Sequence, residues 1–162
     1  MNKRISFEKY VEDLCREHKM VAHSEAECHF SNLISDFDNK LQRIMHYPCV
    51  GIDTEGFTIN GGPGFELRQD NYNLYFLDHV RDHGDLNEKL HAFAITALVM
   101  HDFIARFRRD RVKGIEPMER FSMDGATATR IEFADNALYG WVISFPLAQP
   151  INSLNCNNNF NS

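Results

Sequence analysis

The strongest hydrophobic pattern in the chain lies in residues 85–109. Apolar residues recur there at steps of three and four, the spacing that brings side chains to one face of an α-helix: Leu86, Leu90, Phe93, Ala97, Met100, Ile104 and Phe107. Three more apolar residues widen this stripe and predict a helix largely covered by other elements: Ala94, Leu98 and Val99. Asp85 is suited to cap the helix, and Glu88 completes the acidic form of a capping box.

A second helical pattern covers residues 6–19. Ser6 is suited to cap it, and the apolar residues form a narrow stripe: Phe7, Tyr10, Val11 and Leu14. Acidic residues occupy its outer face. The pattern therefore predicts a surface helix packed against the long one.

The pattern is weaker in residues 20–46. The segment HFSNLI fits either a short strand or the entry to a helix. Asp36 is a suitable cap for a helix over 36–46, because apolar residues follow it at helical spacing: Phe37, Leu41, Ile44 and Met45. We expect Tyr47-Pro48 to end this helix, since the residue before a proline avoids the α conformation.

The period changes to that of β-strands after Pro48. The order of signals predicts a strand at 49–52, a turn at 53–56, a strand through Phe57 and Ile59, a glycine loop at 60–64 and a strand through Phe65 and Leu67. Residues 74–77 are apolar on both faces and predict a central strand. We expect Leu74 and Phe76 to pack against the long helix, where they should meet Phe93, Ala97, Met100 and Ile104.

The C-terminal part predicts a β-hairpin. Alternating residues on its first strand are Thr127, Thr129, Ile131 and Phe133, residues 134–137 turn the chain, and the second strand carries Tyr139, Trp141, Ile143 and Phe145. Pro146 suggests that this strand ends at a sheet edge. The asparagine-rich residues 151–162 predict a flexible tail.

Together these elements predict one α+β domain over residues 1–150. Its sheet is mostly antiparallel and packs against one long α-helix, with additional N-terminal helices. A length of 162 residues fits a single domain, and the net charge of −6 argues against a general nucleic-acid binder. No apolar run reaches the roughly 20 residues of a membrane span. Four scattered cysteines without a CxxC pattern indicate reduced thiols in the cytoplasm.

Histidines and cysteines offer two candidate sites. His79 and His83 are four residues apart, a spacing that would place both on one side of a helix, as in zinc hydrolases. Gly84 and the cap at Asp85 place them in a loop instead. Cys28 beside His29 is the other candidate pair, although a buried small hydrophobe is the commoner role of cysteine. We therefore predict no catalytic, cofactor-binding or metal-binding residues and no cofactor.

Two other segments have simpler explanations. The glycine loop at 60–64 lacks the GK[ST] ending of a phosphate-binding loop, which favours a hairpin loop. The basic run at 106–113 lies largely at a helix C-terminus, where positive charge is locally favourable.

The order of elements resembles small phage and prophage structural proteins of the tail-completion or tail-terminator class. The segments that carry the resemblance are YPCVGID, DNYNLYFLDHV, the long helix and DNALYGWVISFPL. The final hairpin is similar to that family's closing strand through Asn136, Leu138, Gly140 and Trp141. The resemblance covers about residues 20–148. It implies a non-enzymatic subunit that forms a ring at the end of the tail tube.

The resemblance also implies the partners and location of the protein. We expect a ring homo-oligomer in contact with other tail proteins, with no membrane and no sequence-specific nucleic acid, in the bacterial cytoplasm or the virion. Expected contact surfaces are the loop at 60–64, the exposed side of the strand at 139–147, and the basic end of the long helix facing the acidic first helix.

Two alternatives stay open. One is a small metal-dependent or cysteine hydrolase that uses His79/His83 or Cys28/His29. The other is a partner-binding adaptor of a bacterial mobile element. Metal content would separate the hydrolase from the structural protein, and neighbouring tail genes would favour the latter.

Overall fold

The computed structural model describes residues 5–32, 45–62 and 65–150. The main elements in order are α1 (Phe7–Glu17), β1 (Cys28–Asn32), β2 (Met45–Gly62), β3 (Phe65–His79), α2 (Leu86–Val112), β4 (Thr127–Phe133) and β5 (Leu138–Pro150). Short 3-10 helices cover Met118–Arg120 and Ala134–Asn136. The predicted α+β class with a single domain is confirmed. The predicted tail at 151–162 lies outside the described residues.

The five strands form one sheet in the order β1-β2-β3-β5-β4. β1 runs parallel to β2, and every other neighbouring pair is antiparallel. β3 is therefore central, as predicted from residues 74–77. Its Leu74 and Phe76 are buried on the face that carries the helices.

β2 is one long strand where the sequence predicted two strands and a turn. Thr54 pairs with Tyr72 and Gly56 pairs with Asn71, so Glu55 is the extra residue of a β-bulge. Gly56 has a φ of 119°, which glycine adopts readily. The turn predicted at 53–56 is thus wrong, because its residues bend a continuous strand.

The predicted end of a helix at Tyr47-Pro48 is also wrong. Both residues lie inside β2, which begins at Met45. The pairing of β2 with β1 shifts register here, so Pro48 sits in an irregular part of the ladder. A proline is tolerated at such a place because no regular ladder bond is lost. Apart from its last two residues, which start β2, the helix predicted over 36–46 lies outside the described residues.

α2 begins as predicted and ends at Val112, three residues beyond the predicted end. The carboxylate of Asp85 accepts hydrogen bonds from the backbone of Asn87 and Glu88. The Glu88 carboxylate accepts from the backbone of Arg81 and Asp82, at 3.0 and 3.2 Å, instead of from the cap residue. The predicted capping box therefore lacks its reciprocal bond, and Glu88 instead secures the loop that enters the helix.

The buried face of α2 differs from the predicted one by a rotation of roughly 75°, at 3.6 residues per turn. The buried residues are Ala92, Phe93, Thr96, Val99, Met100, Phe103, Phe107 and Asp110. Phe93 and Met100 are buried as predicted, whereas Ala97 and Ile104 are only half-buried. Leu86, Leu90 and Leu98 are exposed. The prediction of a helix largely covered by other elements is therefore wrong.

By length and composition alone, α2 is apolar enough to cross a membrane, with a mean hydropathy of 1.3 in its most apolar window. The core helix of a soluble protein can pass the same test. In this structure Phe103 packs against Phe76 of the sheet, with ring centroids 5.4 Å apart. One face of α2 thus packs against the sheet of the same domain.

α1 packs against α2, as predicted, and both lie on the same face of the sheet. The Ser6 hydroxyl accepts a hydrogen bond from the backbone of Lys9 and caps the helix. The ring of Phe7 lies 4.5 Å from that of Tyr72 and 5.9 Å from that of Phe107. α1 therefore closes the main core between sheet and long helix.

A smaller cluster occupies the opposite face of the sheet. Its buried members are Met45, Cys49, Leu77 and Leu138. Partly buried residues surround them: Cys28, Tyr47, Tyr75, Ile131 and Phe133.

β5 continues past Pro146 to Pro150, so the prediction that it ends there is wrong. It lies between β3 and β4 as far as Ser144. Beyond Ser144 its described ladder partner is β3, with one isolated bridge from Leu147 to Phe121, so Pro146 lies at an edge as predicted. Pro146 therefore interrupts no ladder with β4.

Candidate functional site

The two histidines of the predicted zinc-hydrolase pair have different surroundings. His79 ends β3, and its ring centroid lies 5.6 Å from that of Tyr47. His83 lies in the loop before α2, with its Nδ1 3.3 Å from the hydroxyl of Tyr139. Within residues 5–32, 45–62 and 65–150, no three or more His, Cys, Asp or Glu side chains are grouped to hold a metal ion.

An open recess of about 420 Å³ lies where β3 meets the start of α2. Its polar lining includes Asp78, His79, Glu88 and His91. Burial raises the pKa of Asp78, against the hydrogen bond from the His79 backbone and the charge of His91. The Glu88 carboxylate already serves two backbone amides. His91 was missed from the sequence, because it belongs to the helix and not to the HVRDH segment.

Cys28 and His29 do not form a nucleophile–base pair. Consecutive residues of a strand point to opposite faces of the sheet. The Cys28 sulfur lies 3.6 Å from the sulfur of Met45, while Nδ1 of His29 lies 2.8 Å from the carbonyl oxygen of Pro48. This arrangement supports packing, not activation of a thiol.

Cys15 and Cys49 are also unsuited to thiolate chemistry. Both side chains are buried, and burial raises the pKa of each thiol well above its ordinary value. A reactive cysteine needs a lowered pKa and access to solvent.

A groove of about 610 Å³ between α1 and α2 contains a histidine–aspartate pair. Nε2 of His18 lies 3.2 Å from a carboxylate oxygen of Asp102. Nδ1 of His18 accepts hydrogen bonds from the backbone of Met20 and Val21. Its lone pair is therefore occupied, and the ring holds the end of α1 instead of serving as a base.

The basic end of α2 meets the acidic first helix within one chain. A guanidinium nitrogen of Arg106 lies 2.7 Å from Glu17, and another lies 2.7 Å from Asp110. The hydroxyl of Tyr10 donates to Asp110 at 2.8 Å. Burial acts to raise the pKa of Asp110, but the bonds from Arg106 and Tyr10 outweigh it and lower that pKa. Arg106 is therefore engaged internally, while Arg108 and Arg109 remain exposed.

Two apolar patches lack partners among the described residues. The arm is the hairpin segment made by residues 56–62 of β2 and the facing residues of β3. Phe57 and Ile59 on this arm are 52% and 59% exposed, and the guanidinium of Arg68 lies 4.1 Å from the Phe57 ring centroid. The helix patch is Leu86, Leu90 and Leu98, which are 66%, 48% and 56% exposed.

The other surfaces expected from the sequence have different outcomes. The strand at 139–147 has no exposed side, so that expectation is wrong. Tyr139, Ile143, Phe145 and Leu147 are buried on the face that carries the helices. On the other face Val142, Ser144 and Pro146 are half-buried. In the loop at 60–64, residues 60–62 end β2, and residues 63–64 lie outside the described residues.

Comparison of the chain with known protein families, with curated proteins and with solved structures found no match.

Proposed function

We propose that this protein is a non-enzymatic structural subunit of the phage or prophage tail-completion or tail-terminator kind. It acts through contacts between its own copies and with other tail proteins. The observation that supports this proposal is the pair of apolar patches, the arm and the helix patch, whose five apolar side chains are each about half exposed or more.

The positions of the two patches favour head-to-tail contacts. Ile59 of the arm pairs with Arg68 of β3, and α2 begins shortly after His79 at the other end of that strand. At about 3.3 Å per residue, β3 spans roughly 35 Å from Arg68 to His79. Two different patches toward opposite ends suit a heterologous contact, in which the arm of one copy meets the helix patch of the next. Closure of such contacts makes a ring.

The expected contact is weak in dilute solution. Full burial of a leucine or phenylalanine side chain contributes about 1.5–3 kcal/mol, and these five residues are already partly covered. Association costs an estimated 4–15 kcal/mol in lost translational and rotational freedom. We therefore expect assembly that depends on concentration and is completed by contact with a tail.

Sedimentation velocity of paired variants tests the contact. The arm variant is Phe57→Ser with Ile59→Thr, and the helix variant is Leu90→Gln with Leu98→Gln. Each should reduce assembly, because each removes one side of the contact. Mixing the two should restore a one-to-one complex, since the intact arm of one variant meets the intact helix patch of the other.

Val112→Gln is the matched control, because Val112 is 87% exposed and lies outside both patches. It should assemble like the wild type. The proposal would be contradicted if the wild-type protein stayed monomeric at hundreds of micromolar and its gene had no tail genes beside it. Failure of the mixed variants to form a complex would contradict the head-to-tail geometry.

A further inference from the structure

We propose that two copies of this chain also pair through the outer edge of β4. The two β4 strands run antiparallel about a two-fold axis at Ile131 and join the two five-stranded sheets into one. This contact is separate from the arm and the helix patch and does not depend on the proposed function.

The outer edge of β4 is available for pairing. β4 is the last strand of the sheet and pairs on one side with β5 over its whole length, Thr127–Phe133. No described strand lies on its other side, so its outward backbone groups can accept a further strand. Five of its seven side chains are exposed, and it contains no proline.

The sequence of β4 is complementary to itself in one register. Sheet edges usually carry charges that repel an added strand. In an antiparallel pair centred on Ile131, Arg130 of each copy lies opposite Glu132 of the other. Both residues are on the same face of the strand, so directly opposite side chains form two pairs of opposite charge. A shift by one residue loses this match.

Arg130 lies on the face of the sheet that carries the helices. Its guanidinium carbon lies 4.7 Å from the ring centroid of Phe93 and 5.5 Å from that of Trp141, the residue opposite it on β5. The guanidinium must turn from these rings toward the free edge to meet Glu132 of the other copy, and this cost keeps the contact weak. On the other face, Ile131 would meet its own copy and Thr129 would lie opposite Phe133, beside the small cluster around Leu77.

Two other described free edges, on β1 and β2, are less suited to specify a register. β1 has five residues, and the free stretch of β2 at 56–62 has no charged side chain and contains three glycines. An uncharged, glycine-rich strand specifies its pairing weakly. A contact made by one strand from each copy buries less than the roughly 800 Å² per partner of a stable complex. The β4 dimer should therefore be weak.

Charge reversal tests the register directly. Arg130→Glu places four carboxylates across the axis, and Glu132→Arg places four guanidinium groups there. Each should raise the dimer dissociation constant about tenfold or more, because two favourable cross-strand pairs become unfavourable. The double variant Arg130→Glu with Glu132→Arg restores opposite charges and should return to within about threefold of the wild type.

Sedimentation equilibrium at low salt gives the dissociation constants, and circular dichroism confirms that each variant is folded. Glu25→Arg, an exposed residue away from β4, makes the same charge change as Glu132→Arg and should leave the dimer unchanged. A wild type without dimer, or a folded double variant as weak as the single ones, overturns the β4 contact. The helix variant Leu90→Gln with Leu98→Gln should keep the β4 dimer, which distinguishes a failure here from a failure of the head-to-tail contact.

Discussion

The indole N–H of Trp141 donates a hydrogen bond to the backbone carbonyl of Phe93, with 3.0 Å between the two heavy atoms. Trp141 belongs to β5 and Phe93 to α2, so this bond joins the last of the described strands to the long helix. The two rings also meet edge to face, with centroids 6.3 Å apart. The bond ties the first half of α2 to the sheet.

Replacement of Trp141 by phenylalanine should lower the free energy of unfolding by about 1–2 kcal/mol. The variant keeps an aromatic ring but loses the donor, and a net hydrogen bond contributes about 0.5–1.5 kcal/mol. Chemical denaturation followed by circular dichroism measures the change. Leu98→Gln, on the exposed side of α2, should change stability by less than about 0.5 kcal/mol. Equal stability of Trp141→Phe and wild type would show that the bond contributes nothing.

Gly140→Ala should destabilise the fold severely. A Cβ at this position would overlap the backbone carbonyl of Phe76 on the neighbouring strand. Backbone cannot move aside as a flexible side chain can, so we expect a cost of about 3 kcal/mol or more, at or above the upper end of overpacking effects. Gly62→Ala is the matched control, because a Cβ there meets nothing within 4 Å. A Gly140→Ala protein with the wild-type denaturation midpoint would contradict the close approach of β3 and β5.

Asp110→Asn should destabilise the contact between α1 and α2 by about 1–3 kcal/mol at pH 7. The change removes a buried charge that accepts bonds from Tyr10 and Arg106. The pKa of Asp110 is lowered in the folded protein, so its contribution is complete above the unfolded pKa of about 3.9 and is lost as the pH falls through the folded value. The difference between wild type and variant in urea denaturation should therefore shrink toward pH 3. Asp124→Asn, at an exposed position, is the control and should change stability little. The ionised pair would be refuted if the stability difference between wild type and Asp110→Asn stayed constant from pH 7 to pH 3. It would also be refuted if Asp110→Asn had no larger effect at pH 7 than the control.

His23 should make the fold less stable in mild acid. Its Nδ1 accepts the backbone N–H of His29 at 3.1 Å, so the ring must be neutral there. Burial, followed by the charge of Arg16, lowers the pKa of His23 from its ordinary 6.5. Its contribution to stability is thus present above pH 6.5 and is lost as the pH falls through the lowered value.

The variant His23→Asn tests this pH dependence, because an amide oxygen can accept the same backbone bond without taking up a proton. Thermal unfolding between pH 7.5 and pH 5 should show a smaller loss of Tm for this variant than for the wild type. If both lose stability in parallel, another group controls the response to acid.

The helix starts were predictable because their chemistry is local. The Ser6 hydroxyl and the Asp85 carboxylate each bind backbone groups within three residues, and residue types at this spacing specify that geometry. The alternation of residues in β4 and β5 was equally informative, since side chains of a strand alternate in any sheet.

The buried face of α2 could not be derived from apolar residues alone. Thr96 is buried because its hydroxyl donates to the carbonyl of Ala92, and Asp110 is buried because Tyr10 and Arg106 bind it. Tyr10, one of the two partners of Asp110, lies 100 residues away in the sequence. No local pattern contains such a partner, so exposed leucines were assigned to the core in place of buried polar residues.

The candidate site shows the same limit. The spacing of His79 and His83 suggests that they act together. In the structure His79 ends β3 and lies beside Tyr47, whereas His83 lies in the following loop beside Tyr139. The sequence divides β2 into two strands and a turn, because a bulge and a turn share the same residue types at positions 53–56. The exposure of Phe57 and Ile59 depends on which elements cover that face of the sheet, which the strand pattern does not reveal.

The contact between Phe7 and Phe107 has a consequence for the order of events during synthesis. α1 leaves the ribosome before α2, and Phe107 is added 100 residues after Phe7. At about 5–20 residues per second, the side of α1 that packs on α2 waits roughly 5–20 seconds for it. Until then the newly made segment lacks this cover over Phe7, Val11 and Leu14, and it is a stretch that a chaperone could hold on a chain still being translated.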